Sequence, residues 1–265
     1  MVKKVAKVKK GEFPVYSAEG KVSGSVAVPA VFHTPFRPDL IHRAVVAVES
    51  HDRQPYGPSP GAGMRHAVST WGKGRGVARV QRLTQGNSAA ESPNNVGGRR
   101  AHPPKVEKSY YKRFNRKEMA FARASALAAA SDPEMVRRRG HRFSEKIKFL
   151  PIVVDDSVLE IEATADAIEF LDAVGIYDDV IRAKEGRHIR AGRGKMRGRR
   201  YRVPRSILFV IDTEKPLARA VRNLPGVQVV PPQRLGASDL APGGDPGRLL
   251  VMSEDAVKYF GGGSE

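Results

Sequence analysis

Apolar residues recur at helical spacing in two parts of the chain, separated by a long stretch that has no such period. The first part predicts a helix from Asp39, a potential N-cap, to about Arg53. The second part begins at Asn115, which stands three residues before Glu118 as in a capping box. An alanine-rich helix over about residues 116–130 is predicted to follow.

Beyond Pro151, short apolar runs alternate with helical segments. The runs predicted as strands are Ile152–Val154, Ser206–Asp212, Val227–Val230 and Leu249–Met252. The predicted helix starts are Asp132-Pro133, Thr164, Tyr177, Pro216 and Ser253, with Gly175 as a stop. Strand–helix alternation with right-handed crossovers predicts an α/β fold, a mainly parallel sheet covered by helices. We expect one domain over residues 1–265, its body built from 39–53 and roughly 115–260, after extended segments and turns in 1–38.

The sequence of residues 54–114 predicts an extended basic loop inserted into this domain. Between Ser59 and Lys105, glycine, serine, asparagine and proline interrupt every apolar period, and eight cations face one acid, Glu91. A loop this long indicates disorder or an ordering partner. Guanidinium groups bind phosphate oxygens and glycine permits close approach, so the predicted partner is RNA. We expect the loop to be disordered in the free protein and to fold only against RNA.

Composition strengthens the RNA interpretation. The chain has 265 residues, a formal net charge of +18 and a pI of about 10.3, an excess that attracts polyanions. Hydrophobic residues make up 40%, enough for a core, and the lack of cysteine excludes disulfides, thiolate zinc sites and cysteine nucleophiles. The basic N-terminus lacks the apolar segment of a signal peptide, and no apolar run approaches the roughly 20 residues that span a bilayer. We therefore expect a soluble, intracellular chain without a membrane partner.

A second basic loop is predicted over residues 186–205, where no acid occurs and glycines interrupt any helix. Acids instead cluster between Asp155 and Asp179, and that face is expected to point away from the polyanion. The cations at 137–139, followed by His141, Arg142, Lys146 and Lys148, suit a helix C-terminus but favour a phosphate-facing patch.

Aromatic side chains add to the candidate interface. Tyr110, Tyr111 and Phe114 are interleaved with cations, which is typical of RNA-facing surfaces, although anchoring the loop's return limb to the core is an equal alternative. Trp71 lies in the glycine-rich loop, where stacking on a base or sugar is favoured over a core position. The candidate RNA-binding residues are Arg65, His66, Trp71, Lys73, Arg75, Arg79, Arg82, Arg99, Arg100, His102, Lys105, Lys112, Arg113, Arg137, Arg138, Arg139, Arg187, Arg190, Arg193, Lys195, Arg197, Arg199, Arg200 and Arg202.

The sequence predicts no catalytic residue, metal site or cofactor. Gly72–Gly76 resembles a phosphate loop, but Lys73 precedes glycine where such loops need serine or threonine. Asp155 and Asp156 could hold magnesium at a strand end, but a helix cap in a solvated turn is favoured because a third ligand is missing. Ser109–Lys112 matches a Ser-x-x-Lys pattern without its partner motifs.

At Ser69–Arg79 and Asn95–Lys105, the sequence resembles the family of universal large-subunit ribosomal protein four, in its archaeal–eukaryotic form. The first segment is similar to that family's loop signature and the second to its Gly-Gly-Arg…Pro-x-Lys return limb. The resemblance covers nearly the whole chain and implies a non-enzymatic, structural constituent of the cytoplasmic ribosome.

The resemblance also implies how such a protein is arranged. An α/β domain would rest on the subunit surface beside neighbouring ribosomal proteins, and its loop would thread into ribosomal RNA. Trp71, Lys73, Arg75 and Arg79 would pack in RNA, and the return path would be lined by Arg99, Arg100 and Lys105. The segment from Arg82 to Gly86 would lie near a tip that lines the exit tunnel and meets the nascent peptide.

Two other functions remain open at this stage. One is an RNA-binding regulator that acts outside the ribosome, for example on a messenger RNA leader. The other is an RNA-processing α/β enzyme that uses Asp155 and Asp156 at the sheet edge.

Overall fold

The computed structural model describes residues 11–262; the lysine-rich start over residues 1–10 lies outside this range. The chain forms two compact units. The first, here called the body, comprises the residues up to Glu49 and those from Lys112 onward. The second, here called the insert, is Ser50–Tyr111.

Short strands alternate with helices along the described chain. The strands are β1 (Glu12–Tyr16), β2 (Val22–Ala27), β3 (Val68–Thr70), β4 (Gln81–Leu83), β5 (Ile152–Val154), β6 (His188–Ile189), β7 (Tyr201–Arg202), β8 (Leu208–Val210), β9 (Gln228–Val230) and β10 (Leu250–Ser253). The helices are α1 (Pro38–His51), α2 (Arg116–Ala130), α3 (Pro133–Arg138), α4 (Asp156–Leu159), α5 (Thr164–Val174), α6 (Tyr177–Glu185), α7 (Pro216–Arg222), α8 (Ala237–Leu240) and α9 (Glu254–Phe260).

The body is built on a six-stranded sheet in the order β2-β1-β5-β10-β8-β9. All its pairings are parallel except β1 with β2. The strands β5, β8 and β10 are buried along their whole length, as expected of parallel strands covered on both faces. The predicted α/β fold with a mainly parallel sheet is therefore confirmed.

Alternate residues of the central strands supply two separate cores. Ile152, Phe209 and Val251 point to one face and pack with α4, α5, α6 and α7. Their neighbours Val153 and Leu250 point to the other face and pack with α1, α2, α8 and α9. This alternation follows from the period of two along a strand, and it explains why the strands appear in the sequence as continuous apolar runs.

The interpretation of residues 1–38 as extended segments outside the α/β body is wrong for β1 and β2, which belong to the sheet. Val15 pairs with Val153 and Tyr16 with Val154 in parallel register. Proline is disfavoured inside a sheet because it lacks an amide hydrogen. Pro14 stands opposite Ser25 in the antiparallel pair with β2, but the parallel ladder with β5 includes only Val15 and Tyr16, so no residue of β5 pairs with this proline.

Several helix ends follow the predicted signals. Asp132 accepts a hydrogen bond from the amide of Glu134 at the start of α3, and Ser253 Oγ accepts one from the amide of Ala256 at the start of α9. Gly175 ends α5 with a φ of 87°, and an added Cβ would lie 2.7 Å from Ser144 Cβ. Both the left-handed backbone and the close approach therefore require glycine at position 175.

Three predicted caps are wrong in detail. Asn115 precedes α2 as predicted, but its side chain makes no cap hydrogen bond, so the capping box with Glu118 does not form. Helix α1 begins at Pro38, which places Asp39 in its first turn, where its carboxylate pairs with Arg37 at 2.7 Å. Thr164 is the first residue of α5 rather than its cap.

Within residues 11–262, no helix is both long and apolar enough to cross a membrane.

Candidate nucleic-acid interface

The insert has almost no interior of its own. Among residues 50–111, all of which the structure describes, only Ala90 is buried. Several large apolar side chains are exposed to solvent, among them Tyr56, Met64, Val96 and Val106. The only strand pair of this unit is β3 with β4, three residues on each side. Burial of apolar surface therefore contributes little to the shape of the insert.

Trp71 directly follows β3 and is covered by cations of its own segment. The guanidinium carbon of Arg82 lies 4.9 Å from the centre of the indole, and that of Arg75 lies 6.0 Å away. Arg82 is held in place because its Nη1 donates to the carbonyl of Asn87 over 2.7 Å. The indole is still 36% exposed, so it is not a core residue. The arrangement is a cation–π contact with surface left for a further stacking partner.

Three cations between β3 and β4 alternate with, or follow, glycines in left-handed backbone. Gly72, Gly74 and Gly76 have φ values of 70°, 79° and 65°. An added Cβ would meet nothing within 4 Å at any of them, so the dihedral angle rather than crowding requires glycine. Lys73, Arg75 and Arg79 are exposed, and within the described part of the chain they make no hydrogen bond or ion pair. This surface leaves both backbone and cations accessible to phosphates.

Aromatic contacts join the two ends of the insert. The rings of His51 and Tyr111 lie 4.3 Å apart, centre to centre. The guanidinium carbon of Arg53 lies 4.1 Å from the ring centre of Tyr110, and Lys108 Nζ lies 5.7 Å from it. These contacts link the start of the insert to its end, all within the one unit.

Most of the remaining predicted residues of this region are exposed. Arg65 Nη2 donates to Ser59 Oγ over 2.7 Å, and Arg99 is half-buried. The other predicted residues here are exposed, namely His66, Arg100, His102, Lys105, Lys112 and Arg113.

The second basic block, residues 186–205, contains a short hairpin. Strands β6 and β7 pair in antiparallel register, His188 with Arg202 and Ile189 with Tyr201. Two-residue strands are too short to give a visible period, so the sequence indicates this segment only as a basic loop. Here we call residues 186–205 the basic hairpin. Its predicted RNA-binding cations are all exposed, namely Arg187, Arg190, Arg193, Lys195, Arg197, Arg199, Arg200 and Arg202.

The three arginines of the predicted patch at 137–139 lie in different environments in the structure. Arg137 and Arg138 are exposed, and the guanidinium carbon of Arg137 lies 5.0 Å from the ring centre of Phe143. Arg139 is half-buried, and its Nη2 donates to the carbonyl of Pro242 over 2.9 Å. Burial lowers the pKa of this guanidinium from its ordinary value. Arg139 thus serves packing within the body, unlike its two exposed neighbours.

A buried charge cluster replaces part of that predicted surface. His141, expected in the phosphate-facing patch, is 5% exposed, and Asp179, expected on the solvated acidic face, is 0% exposed. His141 Nδ1 lies 2.9 Å from Asp179 Oδ2, and Arg182 Nε donates to Asp179 Oδ1 over 2.8 Å. Arg182 Nη2 also donates to the carbonyl of Arg205 over 2.7 Å. The cluster therefore holds the end of the basic hairpin.

Both titratable partners of Arg182 have shifted pKa values. Burial lowers the pKa of His141, and the positive charges of Arg182 and Arg139 act in the same direction against the pull of Asp179. Burial alone would raise the pKa of Asp179, but the hydrogen bonds from His141 and Arg182 outweigh it, so the pKa lies below 3.8. The cluster is therefore a neutral imidazole that donates to a carboxylate.

These shifts predict that acid destabilises the body. Below the ordinary histidine pKa of 6.5, His141 binds a proton in the unfolded chain more readily than in the folded protein. The free energy of unfolding therefore decreases as the pH decreases. The lowered pKa of Asp179 continues the loss as the pH falls below 3.8. Urea denaturation at neutral pH and at about pH 5 measures the first effect.

The control for this prediction is His141→Asn, whose amide can replace Nδ1 as a donor but does not titrate. We expect the variant to lose part of the stability difference between the two pH values. Identical pH dependence in the two proteins would contradict the prediction.

Asp155 has a structural role. Its Oδ1 accepts a hydrogen bond from the amide of Ser157 over 2.9 Å and caps α4, which confirms the interpretation as a helix cap. Across residues 11–262, no group of three or more His, Asp or Glu side chains is placed to hold a metal ion.

The sequence profile of the ribosomal protein L4/L1 family matches residues 26–262. The chain belongs to the ribosomal protein L4/L1 family. The resemblance described above is thereby confirmed, and a structural, non-enzymatic ribosomal role follows from membership in this family of ribosomal proteins. The alternative of an RNA-processing enzyme is excluded on the same ground.

Archaeal members of the L4/L1 family are similar along most of their length. Large ribosomal subunit protein uL4 of Methanococcoides burtonii is 45% identical over 94% of this chain and 97% of its own. The uL4 proteins of Aeropyrum pernix and Methanocaldococcus jannaschii are each 49% identical, over 93% and 92% of this chain and 91% and 96% of their own.

Proposed function

We propose that this chain is a structural constituent of the large subunit of the cytoplasmic ribosome and binds large-subunit ribosomal RNA through its insert and its basic hairpin. The observation that carries this proposal is the insert, a unit with exposed cations and one buried residue. The similar archaeal proteins are named as large-subunit proteins, which supports the same RNA as partner. Neighbouring large-subunit proteins are its expected protein partners.

Recognition in this proposal depends on the RNA backbone and shape. Lys73, Arg75 and Arg79 extend from a backbone that glycines keep open, which suits phosphates of a folded RNA. Trp71 supplies a stacking surface beside them. Ordering of residues 54–114 as an extended loop would then come from RNA contacts, which replace the missing apolar core.

We further propose that the segment from Arg82 to Gly86 lies near the tip of this loop and lines the nascent-peptide exit tunnel. Arg82 supports this placement because it is fixed from both sides, by the indole of Trp71 and by the carbonyl of Asn87. Gly86, in the same segment, has a φ of 125°, a backbone conformation that allows the tight turn a loop tip needs. The nascent peptide would be its partner there.

Co-sedimentation with crosslinking tests the proposed function. We expect the tagged full chain to sediment with large subunits at moderate salt. A photoreactive residue introduced at Ala78 should crosslink to ribosomal RNA. The matched control carries the same residue at Asp172 on the acidic helix α5 and should not crosslink to RNA. Sedimentation apart from subunits, with crosslinks to a messenger RNA leader, would contradict the proposal and favour a regulator acting outside the ribosome.

A further inference from the structure

The insert contains a cavity of about 610 Å³ between its outgoing and return limbs. Residues 58–63 form one wall and residues 97–107 the other. The volume falls within the range of roughly 300–1,000 Å³ that is typical of small-molecule sites. All the lining residues belong to this one unit.

Two glycine contacts hold the walls of the cavity together. A Cβ on Gly57 would lie 2.5 Å from the carbonyl oxygen of Pro104, and one on Gly63 would lie 2.6 Å from Arg99 Cα. The limbs therefore meet backbone to backbone at both glycines, where no side chain fits. Gly63 also has a φ of 81°, which disfavours any other residue. The cavity is thus built by the local sequence of both limbs.

The lining combines flat apolar walls with unpaired cations. Pro58, Pro60, Pro103 and Pro104 contribute rigid rings. Cationic side chains come from the return limb, namely those of Arg99, Arg100 and Lys105. None of these three side chains makes a hydrogen bond or ion pair with a residue the structure describes. The single carboxylate in the lining is Glu107.

We propose that this cavity binds one ribonucleotide turned out of its RNA stack, with the base against the proline rings and the phosphate at Arg99, Arg100 and Lys105. The inference rests on the proposed function, since the nucleotide belongs to the bound ribosomal RNA. A nucleotide is favoured because it joins a flat apolar ring to an anion, as the lining requires, and because proteins read unstacked RNA bases. Glu107, on the same wall as these cations, can accept a hydrogen bond from a ring N–H or an amino group of the base.

Filling the cavity tests this site. Ala62 lines it, so Ala62→Trp should exclude the base and weaken binding of the full chain to transcribed large-subunit ribosomal RNA about tenfold, the effect of one lost stacking partner. The matched control Ala62→Ser leaves the cavity open and should bind within about twofold of the wild type. Wild-type affinity in Ala62→Trp would overturn the cavity proposal while leaving the proposed function intact. Failure of the wild-type chain itself to bind the RNA would instead overturn the proposed function.

A measurement on the wild-type protein does not depend on the folding of a variant. Ultraviolet crosslinking of intact large subunits, read by mass spectrometry, should join the peptide containing Pro103 and Pro104 to the base of one nucleotide. Crosslinks from this peptide to a protein side chain, or none while Lys73 and Arg79 crosslink to RNA, would overturn the proposal. No RNA crosslink anywhere in the insert would count against the proposed function as well.

Discussion

Replacing Lys73, Arg75 and Arg79 together by glutamine should lower the affinity for large-subunit ribosomal RNA by about two orders of magnitude near 0.1 M salt, because each cation lost from a phosphate removes roughly a five- to eightfold gain. All three side chains are exposed and make no hydrogen bond or ion pair within the described residues. The one contact of the protein itself that the substitution removes is that of Arg75 with the indole of Trp71, at 6.0 Å. Filter binding of the full chain over a salt series measures the effect.

The salt dependence separates this effect from a change in shape. The slope of log affinity against log salt should become shallower by about 2 to 3, close to 0.7–0.9 per phosphate contact. The matched control replaces Lys215, Arg219 and Arg222, exposed cations at and within α7, and carries the same change in net charge. Equal losses in both variants would show that total charge acts, and would contradict a specific role of the insert.

Asp179→Ala should lower the free energy of unfolding of the body by about 3–5 kcal/mol, because it leaves charged Arg182 and the ring of His141 without their buried partner. Asp179 accepts from His141, from Arg182 and from the amide of Arg142, so three donors lose their acceptor together. Urea denaturation followed by circular dichroism measures the loss.

Asp178→Ala is the matched control, since Asp178 is the exposed neighbour of Asp179 in the first turn of α6. It should cost at most about 1 kcal/mol through the helix dipole. A loss of stability in Asp179→Ala no larger than in the control would show that the cluster does not stabilise the body. Because Arg182 also bonds the carbonyl of Arg205, we expect the basic hairpin of Asp179→Ala to become more sensitive to proteolysis.

Local signals in the sequence predicted most of the body. The run Ile152–Val154 is apolar at every position because it is buried on both faces, and the predicted span of α2 agrees with the structure. Pairing between distant strands has no such local signal. The place of β1 beside β5 depends on the pairing of Val15 and Tyr16 with residues more than a hundred positions away. In addition, Pro14 makes a strand at this position look unfavourable in the sequence.

Sequence reasoning placed His141 and Asp179 on the surface and did not single out Arg248, although all three are buried. Arg248 is a cation near a strand, yet it is 0% exposed, and its Nη1 donates to Gln228 Oε1 and to the carbonyl of Asp239, each over 2.8 Å. The Asp179–Arg182 pair has the i,i+3 spacing of a helical ion pair, which was an available signal. The third partner, His141, comes from another element, and only the fold brings it there.

The strand β10 is synthesised last of the six strands, yet it lies between β5 and β8 at the centre of the sheet. Before β10 is in place, the three strands β2-β1-β5 and the pair β8-β9 can form only two separate ribbons, with the buried strands β5 and β8 at their open edges. Such edges readily recruit other chains. Pairing of β10 closes both edges together, so we expect a chain truncated before Leu250 to be a target for chaperones or for aggregation.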